Sequence, residues 1–259
     1  MTLSILAEPP GTAAPPSRHK SMKPHDAFVA GVLGLCSDAG TQQALRRALG
    51  RPLADIPART HAALLRGGLV PDAAGPERRR AYYAVAALIA ARPSAQRIAD
   101  AEDPGGGAVT TADDSSGPAA GSGHPASGDP VPGRFRPWGT SLGESLASAV
   151  TRHADAGGIK QDGTESRLHL MVRQDIDGLH RMLPAVLRRL GSAGVSADYA
   201  CLLRDLIAWP KGRDAVTVRW LEDYYRTLRR HAADEKPDKP DDRSADSPAD
   251  TRAGEPSAD

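Results

Sequence analysis

The residues of this chain whose type and spacing could do chemistry are arginines. They fall into four groups: Arg46 and Arg47; Arg78, Arg79 and Arg80; Arg181 and Arg188; and Arg219, Arg226 and Arg230. Each group lies beside or opposite an apolar helical seam, and Lys211-Gly212-Arg213 adds another cationic point. Guanidinium and ammonium groups on helical surfaces can meet the phosphates of a nucleic acid without reading its bases. Placement must carry this reading, because number does not. The chain has 27 arginines, six lysines and no asparagine, the usage of a GC-rich genome in which arginine stands in for lysine. A second reading stays open for each group, that of a solvated helix face. Glu222, for instance, stands four residues before Arg226, in ion-pair register on a helix.

Nothing comparable points to catalysis. The eight histidines are His19, His25, His61, His124, His153, His169, His180 and His231. None stands at metal-ligand spacing from another histidine, a cysteine or a carboxylate pair. The sequence has no G-x-x-x-x-G-K-[ST] phosphate loop, no G-x-S-x-G nucleophile turn and no dinucleotide-binding glycine pattern. No catalytic residue, metal or cofactor is expected. An enzyme would need a site assembled from distant positions such as His169, His180 and Asp205. Cys36 and Cys201 each fall on an apolar helical face and read as small buried hydrophobes in a reducing compartment. No apolar run approaches the ~20 residues of a membrane span, and the N-terminus has no secretory apolar core. A soluble, cytoplasmic protein is expected.

The elements that must position the arginines are helices. Of the 259 residues, 1–23, 101–137 and 232–259 are too polar, or too rich in Gly and Pro, to bury a core. They read as a disordered arm, a low-complexity linker and an acidic disordered tail. The stretches 24–100 and 138–231 remain, each long enough for a small helical domain. The formal net charge of +1 conceals an asymmetry. The two helical stretches carry +4 and +3, whereas the linker and tail carry −3 and −5. A cationic body attracts phosphate, and an acidic tail can screen it or compete for it.

In the first stretch, helices are expected over about 25–36, 41–49 and 58–69, with Thr41 capping the second and Gly50 closing it. The second helix turns Ala44, Leu45, Ala48 and Leu49 to one side and Gln43, Arg46 and Arg47 to the other. A fourth runs from Pro76 to Pro93 and is apolar nearly all round, which makes it the central helix of its bundle. Its first turn holds Arg78, Arg79 and Arg80, three cations at the positive end of a helix dipole, each unfavourable by a few tenths of a kcal/mol, roughly. Either this corner binds an anion or it is a solvated corner rich in arginine.

In the second stretch, Ser141 and Glu144 form a capping box before a helix carrying Leu142, Leu146 and Val150. Thr164 is expected to cap the next, and a broad apolar stripe from Ile176 to Leu190 marks the third, with Pro184 in its middle predicting a kink. Gly191 is expected to end it. Residues 196–231 then hold two helical patterns split at Pro210, with Ser196 or Asp198 as the cap. Leu206, Trp220 and Tyr224 lie in the seam, and Arg219, Arg226 and Arg230 lie opposite. No strand is expected. The class is all-α, as two small helical bundles joined by a long flexible linker.

The order of these elements resembles the small subunit of the type I-E CRISPR surveillance complex (Cascade), the CasB family. The stretches that carry the resemblance are GTQQALRRALG, RRAYYAVAALIAARP, GTSLGESLASAV and the run from ESRLHLMVRQ to DYYRTL. The most specific text is DYACLLRDLIAW followed by VRWLEDYY. The linker, the loop at 154–163 and both tails have no counterpart in compact members. The resemblance implies a non-catalytic helical protein. Its partners would be the other Cascade subunits with their crRNA, the target DNA with its displaced strand, and a second copy of itself. It implies that such a subunit helps hold the strands of the R-loop through sequence-independent backbone contacts. The arginines expected to make them are Arg46, Arg47, Arg78, Arg79, Arg80, Arg219 and Arg226, with Lys211 beside them. The alternative is a helical protein–protein adaptor without direct nucleic-acid contact.

Overall fold

The computed structural model describes residues 18–102, 138–152 and 159–234. Of the expected arm (1–23), linker (101–137) and tail (232–259), residues 1–17, 103–137 and 235–259 lie outside the described residues, whereas 20–23, 101–102 and 232–234 are helical and Met22 is fully buried. In chain order the helices are α1 (Lys23–Leu35), α2 (Ala39–Arg46), α3 (Ala58–Arg66), α4 (Pro76–Ala91) and α5 (Ser94–Glu102). They continue as α6 (Leu142–Thr151), α7 (Gln161–Val172), α8 (Ile176–Ser192) and α9 (Tyr199–Asp234). Two single turns of 3-10 helix, Lys20–Met22 and Leu53–Asp55, complete the set. There is no strand among the described residues, and the all-α class holds.

Local chemistry sets the helix termini, and in three places they differ from the sequence expectation. Asp38, not Thr41, caps α2: its Oδ2 accepts from the Thr41 N–H at 2.7 Å. Helix α7 begins at Gln161, so Thr164 lies inside it and its hydroxyl donates back to the Lys160 carbonyl at 3.0 Å. Helix α8 runs through Gly191 to Ser192, and the reversal falls on Gly194 at φ 65°. Ser141 behaves as expected, accepting from the Glu144 N–H at 3.3 Å, and Asp175 caps α8 by accepting from the Gly178 N–H at 2.7 Å. Helix α5 is an element the sequence reading did not assign. It follows Pro93, where the fourth helix is expected to end, and it is tied to α8 by Gln96, whose side chain donates to the Gly191 carbonyl at 3.2 Å.

The expected stop at Pro210 is also displaced. Proline removes one hydrogen bond but has a helix-compatible φ. The backbone leaves the helical region two residues later, at Gly212 (φ −135°, ψ 30°). Arg213, just beyond the break, donates Nε and Nη2 to the Val172 carbonyl at 3.2 and 2.9 Å. It satisfies an orphan acceptor at the C-terminal end of α7.

The two expected bundles share one core. A single buried cluster runs from Phe28, Val32 and Leu45 through Tyr83 and Ile89 to Leu146, Leu183, Trp209, Trp220 and Tyr224. Helix α4 is buried along nine of its positions, as its uniformly apolar sequence requires. It packs on α2 to one side and on α9 to the other, while α9 also covers α1 and α6. The α6–α9 contact is close enough to need a glycine. A Cβ on Gly143 would lie 1.8 Å from the Trp220 carbonyl oxygen.

Asp198 draws three distant segments together. Its Oδ2 accepts from Arg18 Nη2 at 2.6 Å and from the Thr140 N–H at 3.1 Å, and its Oδ1 accepts from the Cys201 N–H at 2.9 Å. Burial pushes this carboxyl up, and the Arg18 guanidinium pulls it back. Gly139 (φ 83°) passes so near that a Cβ there would sit 2.2 Å from Asp198 Oδ2.

Candidate nucleic-acid interface

The structure divides the cationic groups into those already engaged and those facing solvent. Arg80, in the first turn of α4, pairs with Asp177 of α8. The hydrogen bond and charge of Arg80 hold the Asp177 carboxyl below its usual range. A cation that opposes the α4 dipole is therefore met by a neighbouring helix. Beneath this pair lies His180, buried and held to a pKa of about 4 by desolvation first and the Arg80 charge second. Arg79 is half-buried, and Arg78 stands exposed at the same corner.

Arg219 is engaged more deeply. Its guanidinium pairs with Asp205, a carboxylate only 1% exposed. Asp205 also accepts from Trp220 Nε1 at 2.7 Å and from Arg204 Nη2 at 3.2 Å. Buried charge of this kind needs several donors to offset its lost hydration. Arg226 pairs with Glu222 at 2.7 Å, one turn away, and Arg230 donates to the Thr227 hydroxyl at 3.0 Å. The α9 stripe is thus largely spent within the helix. Lys211 is exposed at the Gly212 break.

Arg46 and Arg47 close the last turn of α2, both exposed, with no acidic partner among the described residues. Their position at a helix C-terminus favours cations in any case. Arg46 also lines a cleft of about 430 Å³ between α2, the end of α4, α5 and α8. Two further guanidiniums line it: Arg92, the C-cap of α4, and Arg188 of α8. Leu49, Leu88 and Leu187 supply apolar lining, and no carboxylate reaches it. Arg92 lies over the Tyr199 ring, 5.7 Å from its centroid, and donates to its hydroxyl at 3.4 Å. The sequence reading missed Arg92 altogether and placed Arg188 only on a surface stripe. The signal it lacked is tertiary, since these residues meet only when α8 packs beside the end of α4.

The residues that an assembled enzyme site would use do not converge. His169 contacts the Tyr225 hydroxyl at 2.8 Å, His180 lies by Arg80 and Asp177, and Asp205 is held by Arg204, Arg219 and Trp220. No cluster of three potential metal ligands occurs among the described residues.

The family model for CRISPR-associated protein Cse2 matches residues 43–225. The chain belongs to the Cse2 family. The matched span runs from the second half of α2 through most of α9 and takes in every grouped arginine except Arg226 and Arg230. Two chains from structures described as a CRISPR RNA-guided surveillance complex agree with this Cse2 assignment. One is 30% identical with a TM-score of 0.60, the other, in a pre-nicking state, 32% identical with a TM-score of 0.61. In both cases the match covers 83% of this chain and 99% of the other. The M. ruber CasB crystal structure shares the fold at 20% identity and a TM-score of 0.57, over 82% of this chain and 98% of its own. No curated protein matches the sequence. The resemblance read from DYACLLRDLIAW and VRWLEDYY is therefore to the right family. No helix of the described residues is long and apolar enough to cross a membrane.

Proposed function

We propose that this Cse2 family member is the non-catalytic small subunit of a cytoplasmic type I-E CRISPR surveillance complex. In this reading it assembles with the crRNA-bearing subunits and a second copy of itself. It steadies the R-loop through backbone contacts to the target and displaced strands. The observation that carries the proposal is the unpaired cationic surface of the first half of the chain. Arg46, Arg47 and Arg78 face solvent, while Arg80, Arg219 and Arg226 are met by carboxylates of the chain itself. Exchanging duplex DNA for an RNA–DNA hybrid is nearly balanced, so a few phosphate contacts are enough to tip it. Chains 30% and 32% identical to this one come from structures described as an RNA-guided surveillance complex, which supports membership of such a complex here.

The test is charge reversal within the assembled complex. Arg46→Glu with Arg47→Glu is expected to shorten the R-loop lifetime and to flatten its salt dependence by roughly 0.7–0.9 in log–log slope per lost phosphate contact. An unchanged lifetime in a correctly assembled complex removes these residues from the interface. A pure adaptor gives normal assembly and no effect from any arginine reversal, so one measurement separates the two roles.

A further inference from the structure

The cleft between α2, α4, α5 and α8 has more to it than a charged surface. Backbone tracking needs only cations on a convex face. This site instead sets three guanidiniums, Arg46, Arg92 and Arg188, around apolar lining from Leu49, Leu88 and Leu187. Its volume of about 430 Å³ lies within the ~300–1,000 Å³ of clefts that enclose small molecules. That admits a nucleoside phosphate and excludes a duplex. Charge selects an anion, because the lining holds three arginines and no carboxylate. The apolar surface gives no advantage to a bare phosphate but does to a base or sugar. Polar fixed points are present too: the Gln96 amide and the Ser192 hydroxyl both line the cleft.

We infer that the cleft is a nucleotide pocket, taking one unstacked nucleotide of a single strand with its phosphate on the guanidiniums and its base on the leucines. The inference rests on the strand-binding role proposed above and adds a base contact to it. Its contributing residues come from α2, α4 and α5 on one side of the 103–137 segment and from α8 on the other. An occupied pocket would tie the two halves of the chain together.

The test uses the full chain and fluorescent oligothymidylate, compared with a strand of equal length whose internal residues are abasic. The parent is expected to prefer the thymidylate by about tenfold, the scale of one base resting on an apolar surface. Arg188→Glu, at an exposed position, is expected to weaken both strands and lower the salt slope by about 0.7. Ser192→Trp, also exposed, fills the cleft at constant charge and is expected to abolish the preference while leaving the salt slope intact. Equal binding of the two strands by the parent, absence of strand binding, or indifference to both substitutions overturns the inference. Displacement of the strand by thymidine monophosphate at micromolar concentration identifies a free nucleotide as the occupant, and displacement by an oligoglutamate peptide identifies an acidic peptide. Either result overturns the strand assignment. The R-loop lifetime of Arg47→Glu, at an exposed position outside the cleft lining, is measured separately, so loss of the pocket leaves the backbone-contact role standing or falling by itself.

Discussion

His180 is the residue whose burial has the clearest thermodynamic consequence. Its pKa falls from 6.5 to about 4 because the imidazole is buried and faces Arg80, with only Asp177 pulling the other way. The folded chain therefore keeps His180 neutral at pH values where the unfolded chain protonates it. Its contribution is complete above pH 6.5 and is lost as pH falls toward 4, about 3 kcal/mol in all. Urea unfolding between pH 7 and pH 4.5 is expected to show this slope, and His180→Leu is expected to flatten it. Arg219 makes a second residue-scale prediction. Because it serves the buried Asp205, Arg219→Ala is expected to cost stability, about 2 kcal/mol, and to leave single-strand affinity unchanged. A thermal melt and an anisotropy titration on the same variant check both halves of that statement. The sequence shows Arg219 opposite an apolar seam, which is correct, but its partner stands 14 residues away across the Gly212 break. No local pattern reveals such a pair.

At the scale of elements, what was legible is what depends on neighbours in sequence. The apolar run 81–90 gave the buried α4, Ser141 gave a cap, and the leucine stripe from Ile176 gave α8. What was illegible depends on partners elsewhere. Helix α5 lies beyond the Pro93 stop and is held by α8, and α7 starts a turn before the residue chosen as its cap. Gly143 belongs to the second kind. In sequence it is an unfavourable residue in a helix, and in the fold it is the contact surface between α6 and α9. Gly143→Ala gains helix propensity yet drives a methyl into the Trp220 carbonyl. A net loss of about 3 kcal/mol or more is expected, measured as a lower urea midpoint. An unchanged midpoint would mean that α6 and α9 can separate without cost.

The whole molecule differs most from the sequence picture in its core. Composition divides the chain at 101–137, and two bundles follow naturally from that division. The buried cluster crosses it, because α9 packs on α4 and α1 as well as on α6. One cooperative unfolding transition is therefore expected. All three tryptophans, Trp138, Trp209 and Trp220, lie after the division, so their fluorescence reports the second half while far-UV circular dichroism reports all the helices. Coincident curves support a shared core, and separated curves would indicate independent bundles. The candidate interface divides in the same way. Arg46, Arg47 and Arg78 were visible as helix-surface cations, whereas the Arg46–Arg92–Arg188 cleft exists only through packing between the halves.

The Asp198 contact bears on how such a chain tolerates change in its length. Arg18 enters before α1, Thr140 follows the 103–137 segment, and Cys201 lies in the first turn of α9, yet the Asp198 carboxylate receives all three. The point at which the chain returns after that segment is thus set by Asp198 and not by how many residues precede it. Closing a loop of 35 residues in place of 12 costs only about 1 kcal/mol in chain entropy. The position between α5 and α6 therefore behaves as a free port in the fold, where sequence can be gained, lost or exchanged for a foreign domain while the register of every helix downstream is kept.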